Sequence, residues 1–218
     1  LKPDYAQAHN NLGAALEKKG QTDQAIRQYQ EALRLKADYA EAHNNLGIVF
    51  YQQNRSDEAI RQFKEAIGLK PDLAEAHYNL GAALDKKGQT DEATREYQEA
   101  VRLQPDYANA HYSLGVALSQ KGQVGDAIRQ YQEAIRLQPD HVEAYNQLGF
   151  ICYQQSRTEE AIRAFQEALH LRPGYAYAHN NLGMALSSKG LLDEAVSQFQ
   201  EALRLERDNA EAHYNLGV

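Results

Sequence analysis

The sequence has 218 residues, of which 43% are hydrophobic and 24% are charged, and its formal net charge is −7 at neutral pH. This composition is typical of soluble globular chains. The acidic excess disfavours nucleic acid and anionic membranes as partners, because both attract clustered lysine and arginine. No apolar run is long enough to predict membrane insertion, and the single cysteine, Cys152, cannot form a disulfide within the chain. We therefore expect a cytoplasmic protein.

One pattern returns along the whole chain every 34 residues, from Ala6 through Ala40 to Ala210. It predicts a single repeat domain over residues 1–218, cut from a longer array because the sequence begins and ends within a repeat. The predicted repeats are 6–39, 40–73, 74–107, 108–141, 142–175 and 176–209, followed by a partial repeat, 210–218. Positions are counted from the first residue of each repeat.

Each full repeat carries the pattern of two amphipathic helices, A and B. In helix A, small or apolar residues at positions 1, 3, 4, 7, 8, 10 and 11 share one face, and positions 20, 21, 24, 27 and 28 do so in helix B. Glycine at position 15 separates the helices in four repeats, and proline at position 32 ends helix B. Asp38 followed by Glu41 predicts a capping box before the next A helix. One pair cannot bury both apolar stripes, so neighbouring pairs must stack.

In the second repeat, seven residues resemble the motif of the tetratricopeptide repeat family at its spacing: His43, Leu46, Gly47, Ala59, Phe63, Ala66 and Pro71. The resemblance covers the chain without a gap. It implies an all-α, right-handed α-solenoid, or superhelix, of stacked antiparallel helix pairs, with six full repeats and one partial repeat. It also implies that the A helices line a concave groove and that the B helices form the outer wall.

Position 4, usually tryptophan in that family, is histidine in six repeats and Tyr145 in the fifth. Adjacent helices lie about 8–10 Å apart, whereas zinc ligands converge within about 2.3 Å of the ion. The histidines are therefore predicted to pack in the core with a hydrogen bond, and no metal or cofactor is expected. Cys152 is predicted to be an inert buried thiol. No catalytic motif occurs, so no catalytic residues are predicted and the protein is expected not to be an enzyme.

Positions 2, 5, 6, 9, 12 and 13 of helix A lie opposite the core stripe and are predicted to face the groove. Position 6 carries a file of amides and one hydroxyl: Asn11, Asn45, Asn79, Ser113, Gln147, Asn181 and Asn215. An amide both donates and accepts, so this file could bind the backbone of an extended peptide. The asparagines of this file, but not Ser113 or Gln147, resemble the asparagine ladder of the repeat region in O-linked N-acetylglucosamine transferases. Alternatively, the amides only solvate the groove or bond to their neighbours.

Apolar and tyrosine side chains on the same face predict contact with a partner. They are Tyr51, Tyr78, Tyr112, Val116, Phe150, Tyr153, Tyr177 and Met184. The alternative is packing between successive A helices. We expect the strongest contacts at Tyr112, Phe150, Tyr153 and Met184. Position 5 is Asn or Tyr and position 9 is apolar, so the clamp that holds heat-shock protein tails is not predicted.

These patterns predict a protein–protein interaction scaffold that binds an extended or helical peptide segment in the groove. One alternative is the substrate-recognition arm of a larger glycosyltransferase-type enzyme. The other is a scaffold that self-associates end to end through uncapped termini, since Leu1 to Asp4 resembles the tail of an earlier B helix.

Overall fold

The computed structural model describes residues 3–208 and 210–217, with side chains from residue 5 onward. Every regular element in these ranges is an α-helix, so the predicted all-α solenoid is confirmed. The A helices are α1 Pro3–Lys18, α3 Ala40–Gln52, α5 Ala74–Lys86, α7 Ala108–Gln120, α9 Val142–Gln154, α11 Ala176–Ser188 and α13 Ala210–Leu216. The B helices are α2 Thr22–Leu35, α4 Ser56–Leu69, α6 Thr90–Leu103, α8 Val124–Leu137, α10 Thr158–Leu171 and α12 Leu192–Leu205.

The first described residues depart from the predicted pattern. Pro3 begins α1 rather than closing an earlier B helix, as proline is well tolerated in the first turn. Leu1 and Lys2, which belong to the predicted tail, lie outside the described residues, as does Val218.

The chain divides into two compact bodies, Leu1–Ala117 and Leu118–Val218. Within a body, an A helix packs on the B helix of its own repeat, as α3 does on α4, and that B helix packs on the next A helix. Successive A helices also contact one another, as do α3 and α5 or α9 and α11. Inside either body, no two B helices among the described residues make a comparable contact. In each body the A helices are therefore drawn together on one side.

Glycine at position 8 allows helices A and B of one repeat to approach closely. A Cβ atom added to Gly47 would lie 2.6 Å from the Phe63 ring, and one added to Gly183 would lie 2.6 Å from the Phe199 ring. Phe63 and Phe199 are almost fully buried. The glycine in A and the aromatic ring in B thus form one packing unit.

The turn from A to B requires a left-handed residue at position 15. Gly88 has φ +75° and Gly190 has φ +81°, which confirms the predicted glycine breaks. The second and fifth repeats place Asn54 and Ser156 there, with φ 61° and 58°. L-residues adopt this conformation at a cost, which asparagine bears better than serine.

Proline at position 32 follows the end of helix B as predicted. Helix α4 ends at Leu69, two residues before Pro71. Helix α2 ends at the equivalent Leu35 although Ala37 replaces the proline, so proline is not required for termination.

The predicted capping box is wrong. Helix α3 has Tyr39 as its N-cap, and no side chain caps it, so Asp38 lies one residue outside the cap position. Leu73 holds the same place before α5, again without a side-chain cap. The residue at the same place before α9 is His141, and there a side chain does cap the helix: the Ala144 N–H donates to His141 Nδ1 at 3.3 Å.

The core of the second body includes the only cysteine of the sequence. Cys152 is 2% exposed and packs with Phe165, Leu186 and Phe199. Burial raises the pKa of its thiol. The predicted burial of the thiol is confirmed. Its inertness stays a prediction, which the raised pKa favours because the thiolate is the reactive form.

Candidate functional site

We define the A-helix face by the side chains predicted to line the groove. It comprises Asn11, Asn45, Tyr51, Tyr78, Asn79, Tyr112, Ser113 and Val116 in the first body, and Gln147, Phe150, Tyr153, Tyr177, Asn181 and Met184 in the second. Each of these residues is at least partly exposed. The most exposed large apolar members are Tyr177, at 54%, and Phe150, at 36%.

The amides at position 6 are bonded between successive repeats. Asn45 Nδ2 donates to Asn10 Oδ1 at 3.0 Å, and Asn79 Nδ2 donates to Asn44 Oδ1 at 3.0 Å. In the second body, Asn181 donates to Asn146 and Asn215 donates to Asn180, again at 3.0 Å. These bonds use one N–H of each position-6 amide and leave its oxygen and second N–H for other contacts.

The asparagines at position 5, which accept these bonds, are buried, so the prediction that they face the groove is wrong. Asn44 is 3% exposed and Asn180 is 1% exposed, although position 5 was predicted to face the groove. Asn180 also donates to Glu211 Oε2 at 3.4 Å, so its amide is well satisfied. Helix A buries a wider arc than its apolar stripe because it packs against A helices as well as B helices.

Three residues of the A-helix face meet at a cleft of about 400 Å³ in the second body. Phe150, Asn181 and Met184 line it, on α9 and α11. The remaining wall comes from α13: Ala210, Glu211, Tyr214 and Asn215. Tyr214 is 85% exposed, so this wall presents a whole aromatic side chain to solvent. The cleft combines apolar walls, two amides and one carboxylate.

Tyrosines of the first body are partly engaged in packing. The Tyr78 ring lies 5.0 Å from the Tyr107 ring and 5.9 Å from the Tyr97 ring, between centroids. Tyr97 is buried, and Tyr78 and Tyr107 are half-buried. Burial raises the pKa of Tyr107 to about 12. Tyr78 therefore packs against other tyrosines of its own repeat, and only part of its ring is exposed.

The other predicted aromatic residues differ in their surroundings. Tyr153 and Met184 pack partly against the core around Cys152. Tyr177 makes an edge contact with Tyr175, at 6.2 Å between ring centroids, and remains mostly exposed. Tyr112 is half-buried.

Sequence reasoning missed Glu211, Tyr214 and Asp85 as members of this surface. All three occupy positions predicted to face the groove, namely 2, 5 and 12. The signal was therefore present in the helical periodicity. Glu211 and Asp85 were passed over because amides and apolar side chains were selected ahead of charged ones, and Tyr214 was passed over although Tyr78 and Tyr112 at the same position were selected.

The histidine file is structural. His43 Nδ1 lies 2.7 Å from the side-chain amide of Gln62, and its Nε2 lies 3.2 Å from the Ala37 carbonyl oxygen. The His43 ring thus ties helix B of its repeat to the turn before helix A, and His179 does the same through Gln198 and the Pro173 carbonyl oxygen. No group of side chains in ranges 3–208 and 210–217 is arranged to hold a metal ion.

The third repeat differs because its histidine faces a carboxylate. His77 Nδ1 lies 2.7 Å from Glu96 Oε2, and Nε2 lies 3.1 Å from the Pro71 carbonyl oxygen. An ionised carboxylate and a carbonyl both only accept, so both ring nitrogens must carry protons. The hydrogen bond with Glu96 raises the pKa of His77.

Comparison with known proteins establishes the family. A profile described as "Cilia and flagella-associated protein 70 C-terminal domain" matches residues 39–218, and one described as "TPR repeat" matches residues 18–54. The chain belongs to the tetratricopeptide repeat family. The solved structure of MamA is 30% identical to this tetratricopeptide repeat chain and covers 76% of it and 97% of its own chain, with a TM-score of 0.69.

Two further tetratricopeptide repeat structures share the fold. The structure described as "YrrB: a TPR protein with an unusual peptide-binding site" is 23% identical, covers 87% of this chain and 98% of its own, and has a TM-score of 0.73. Pseudomonas aeruginosa PilF is 20% identical, covers 97% and 96% of the two chains, and has a TM-score of 0.87. None of the curated proteins compared with the chain matches it. In the described ranges, no helix is both long and apolar enough to cross a membrane.

Proposed function

We propose that the A-helix face binds an extended or helical segment of another protein. Membership of the tetratricopeptide repeat family supports a protein–protein interaction scaffold. Scaffolds of this family are also generally non-enzymatic. The structure described as YrrB carries a peptide-binding site in a related fold, which supports a peptide as the class of ligand.

The cleft between α9, α11 and α13 carries this proposal. Phe150, Met184 and Tyr214 offer apolar surface to a side chain of the ligand. Asn181 keeps an amide oxygen and one N–H beyond its bond to Asn146, so it is able to pair with a peptide group. Apolar walls with a few directed polar groups are the usual composition of a ligand pocket.

Peptide display on the whole chain tests the proposal. We expect a peptide class to be enriched by the parent and lost with the double substitution Phe150→Ala/Met184→Ala, because the apolar walls of the cleft are removed. Val196→Ala is the matched control, since Val196 is a 41% exposed apolar residue on the B helix α12. Circular dichroism of each variant verifies its helical content. The proposal is overturned if the parent enriches no peptide. It is also overturned if the double variant enriches the same peptides as strongly as the parent.

The substrate-recognition arm and the end-to-end scaffold stay predictions. If neither the parent nor the variants enrich a peptide in the display experiment, that result favours these two alternatives over peptide binding.

A further inference from the structure

Asp85 is an acidic residue within the tyrosine-rich part of the A-helix face. It lies seven residues after Tyr78, two helical turns along α5, so both side chains project from one side of that helix. Tyr51 has the equivalent position in α3, which packs against α5. Tyr51, Tyr78 and Asp85 are all half-buried. One carboxylate and two phenol groups thus lie on two adjacent A helices of the proposed binding surface.

The equivalent acid in the first repeat shows what Asp85 lacks. Glu17 accepts a hydrogen bond from the Tyr29 hydroxyl at 3.0 Å and another from Gln52 Nε2 at 3.2 Å. In the third repeat, the equivalent of Tyr29 is Tyr97, whose hydroxyl is hydrogen-bonded to Ser113. Aspartate is one methylene shorter than glutamate, and no side chain in the described part of the chain donates to Asp85.

The lysines that follow Asp85 in sequence form their hydrogen bonds with residues other than Asp85. Lys86 Nζ donates to Asn54 Oδ1 at 2.5 Å and lies 4.8 Å from the centre of the Tyr51 ring. Lys87 Nζ donates to Asp57 Oδ1 at 2.5 Å. Neither ammonium group forms an ion pair with Asp85, so the protein leaves this carboxylate without a counter-charge in contact.

The surroundings of Asp85 disfavour an isolated negative charge. Loss of hydration on burial raises the pKa of its carboxyl group. The carboxylate in turn contributes to the raised pKa of Tyr51 and of Tyr97. A cation beside the carboxylate would relieve both effects. Tyrosine ring faces also attract cations, as the contact between Lys86 and Tyr51 already shows within the chain.

We propose that Asp85, Tyr51 and Tyr78 form a binding site for a cationic side chain, lysine or arginine, of the peptide taken by the A-helix face. The carboxylate supplies the counter-charge, and the two phenol rings contact the alkyl stem and the edge of the cation. The peptide context of this site rests on the proposed function, but the cation site itself is testable without any peptide.

Nuclear magnetic resonance titration of the whole chain with Nα-acetyl-lysine N-methylamide tests the site. We expect saturable shifts of the Tyr51, Tyr78 and Asp85 signals, and none of comparable size with the neutral norleucine analogue. Asp85→Asn should weaken binding about tenfold, as expected for the loss of one charge-assisted contact. Glu17→Gln is the matched control and should leave the titration unchanged, because Tyr29 and Gln52 already satisfy Glu17.

Absence of saturable shifts with both the lysine and the corresponding arginine analogue overturns the inference. Equal shifts with norleucine, or an undiminished titration of Asp85→Asn, overturn it as well. The display experiment separates the two proposals. If peptides that depend on Phe150 and Met184 carry no basic residue and bind Asp85→Asn as well as the parent, the cation site fails while the proposed function stands. If the lysine analogue binds at Asp85 but no peptide is enriched, the proposed function fails instead.

Discussion

The side-chain amide of Asn45 donates a 3.0 Å hydrogen bond to that of Asn10, its neighbour in the preceding repeat. The same bond joins Asn79 to Asn44 and Asn181 to Asn146. The amide file therefore links successive A helices. If the proposed function holds, the amide oxygen and the second N–H of the same side chains are the atoms that meet a peptide.

Asn44→Ala should lower the free energy of unfolding by about 1–2 kcal/mol, because it removes a buried amide and leaves Asn79 without its acceptor. Chemical denaturation followed by circular dichroism measures this change. Asn11→Ala is the control and should have little effect, since Asn11 is exposed. Equal losses in the two variants would show that the inter-repeat bond does not stabilise the array.

Gly47→Ala should destabilise the first body by about 2 kcal/mol or more, because the added methyl group overlaps the buried Phe63 ring at 2.6 Å. Gly68→Ala should instead stabilise it by about 0.5–1 kcal/mol, since Gly68 lies in α4 with nothing within 4 Å of the added Cβ and alanine is the better helix former. Thermal unfolding of both variants gives the comparison. A shift of the same sign in both would contradict the packing argument.

Ser156→Gly should raise the stability of the second body by about 1 kcal/mol, because it relieves a serine at φ 58°. The reciprocal substitution Gly190→Ser, at φ +81°, should lower it by a similar amount. Melting temperatures of the two variants should move in opposite directions. A neutral result for both would mean that this turn tolerates serine without strain.

The contact between His77 and Glu96 predicts that stability depends on pH. Below about pH 6.5, the usual pKa of histidine, the ring is protonated in both the folded and the unfolded chain, so the stabilisation is fully present. It is lost as the pH rises through the raised pKa of the folded state. The melting temperature of the parent should therefore exceed that of Glu96→Gln by more at pH 6 than at pH 8.

Gln62→Glu provides the matched gain-of-function variant, because Gln62 occupies the same place beside His43. It should acquire the pH dependence that Glu96→Gln loses. If the difference between parent and variant is the same at both pH values, the imidazolium is not held by Glu96.

Much of the fold was predictable because the same residue types recur at the same positions of each 34-residue repeat. Gly88 and Pro71 mark the ends of helices by backbone geometry, which is a local property. The capping box failed because α3 has Tyr39 at its N-cap, so Asp38 lies one residue before the position from which it would cap the helix. Local sequence patterns do not fix the first residue of a helix to within one position.

The candidate site was predictable in its location but not in its detail. Helical periodicity placed Phe150 and Met184 on one surface, and the structure brings them to one cleft. Helical periodicity did not predict the burial of Asn44, because the fraction of a helix surface that is buried depends on how many helices surround that helix. It also gave no reason to distinguish Asp85 from Glu17, because the difference lies in which donors reach the carboxylate.

The burial of the only thiol gives the molecule an internal reporter. Cys152 is 2% exposed, so a thiol reagent reacts with it only when helix α9 separates from its neighbours. Repeat arrays open locally with different free energies along the chain. The labelling rate of Cys152 in the native protein therefore measures the opening of the second body alone, and a partner that binds across α9 and α11 should slow it without any reporter having to be introduced.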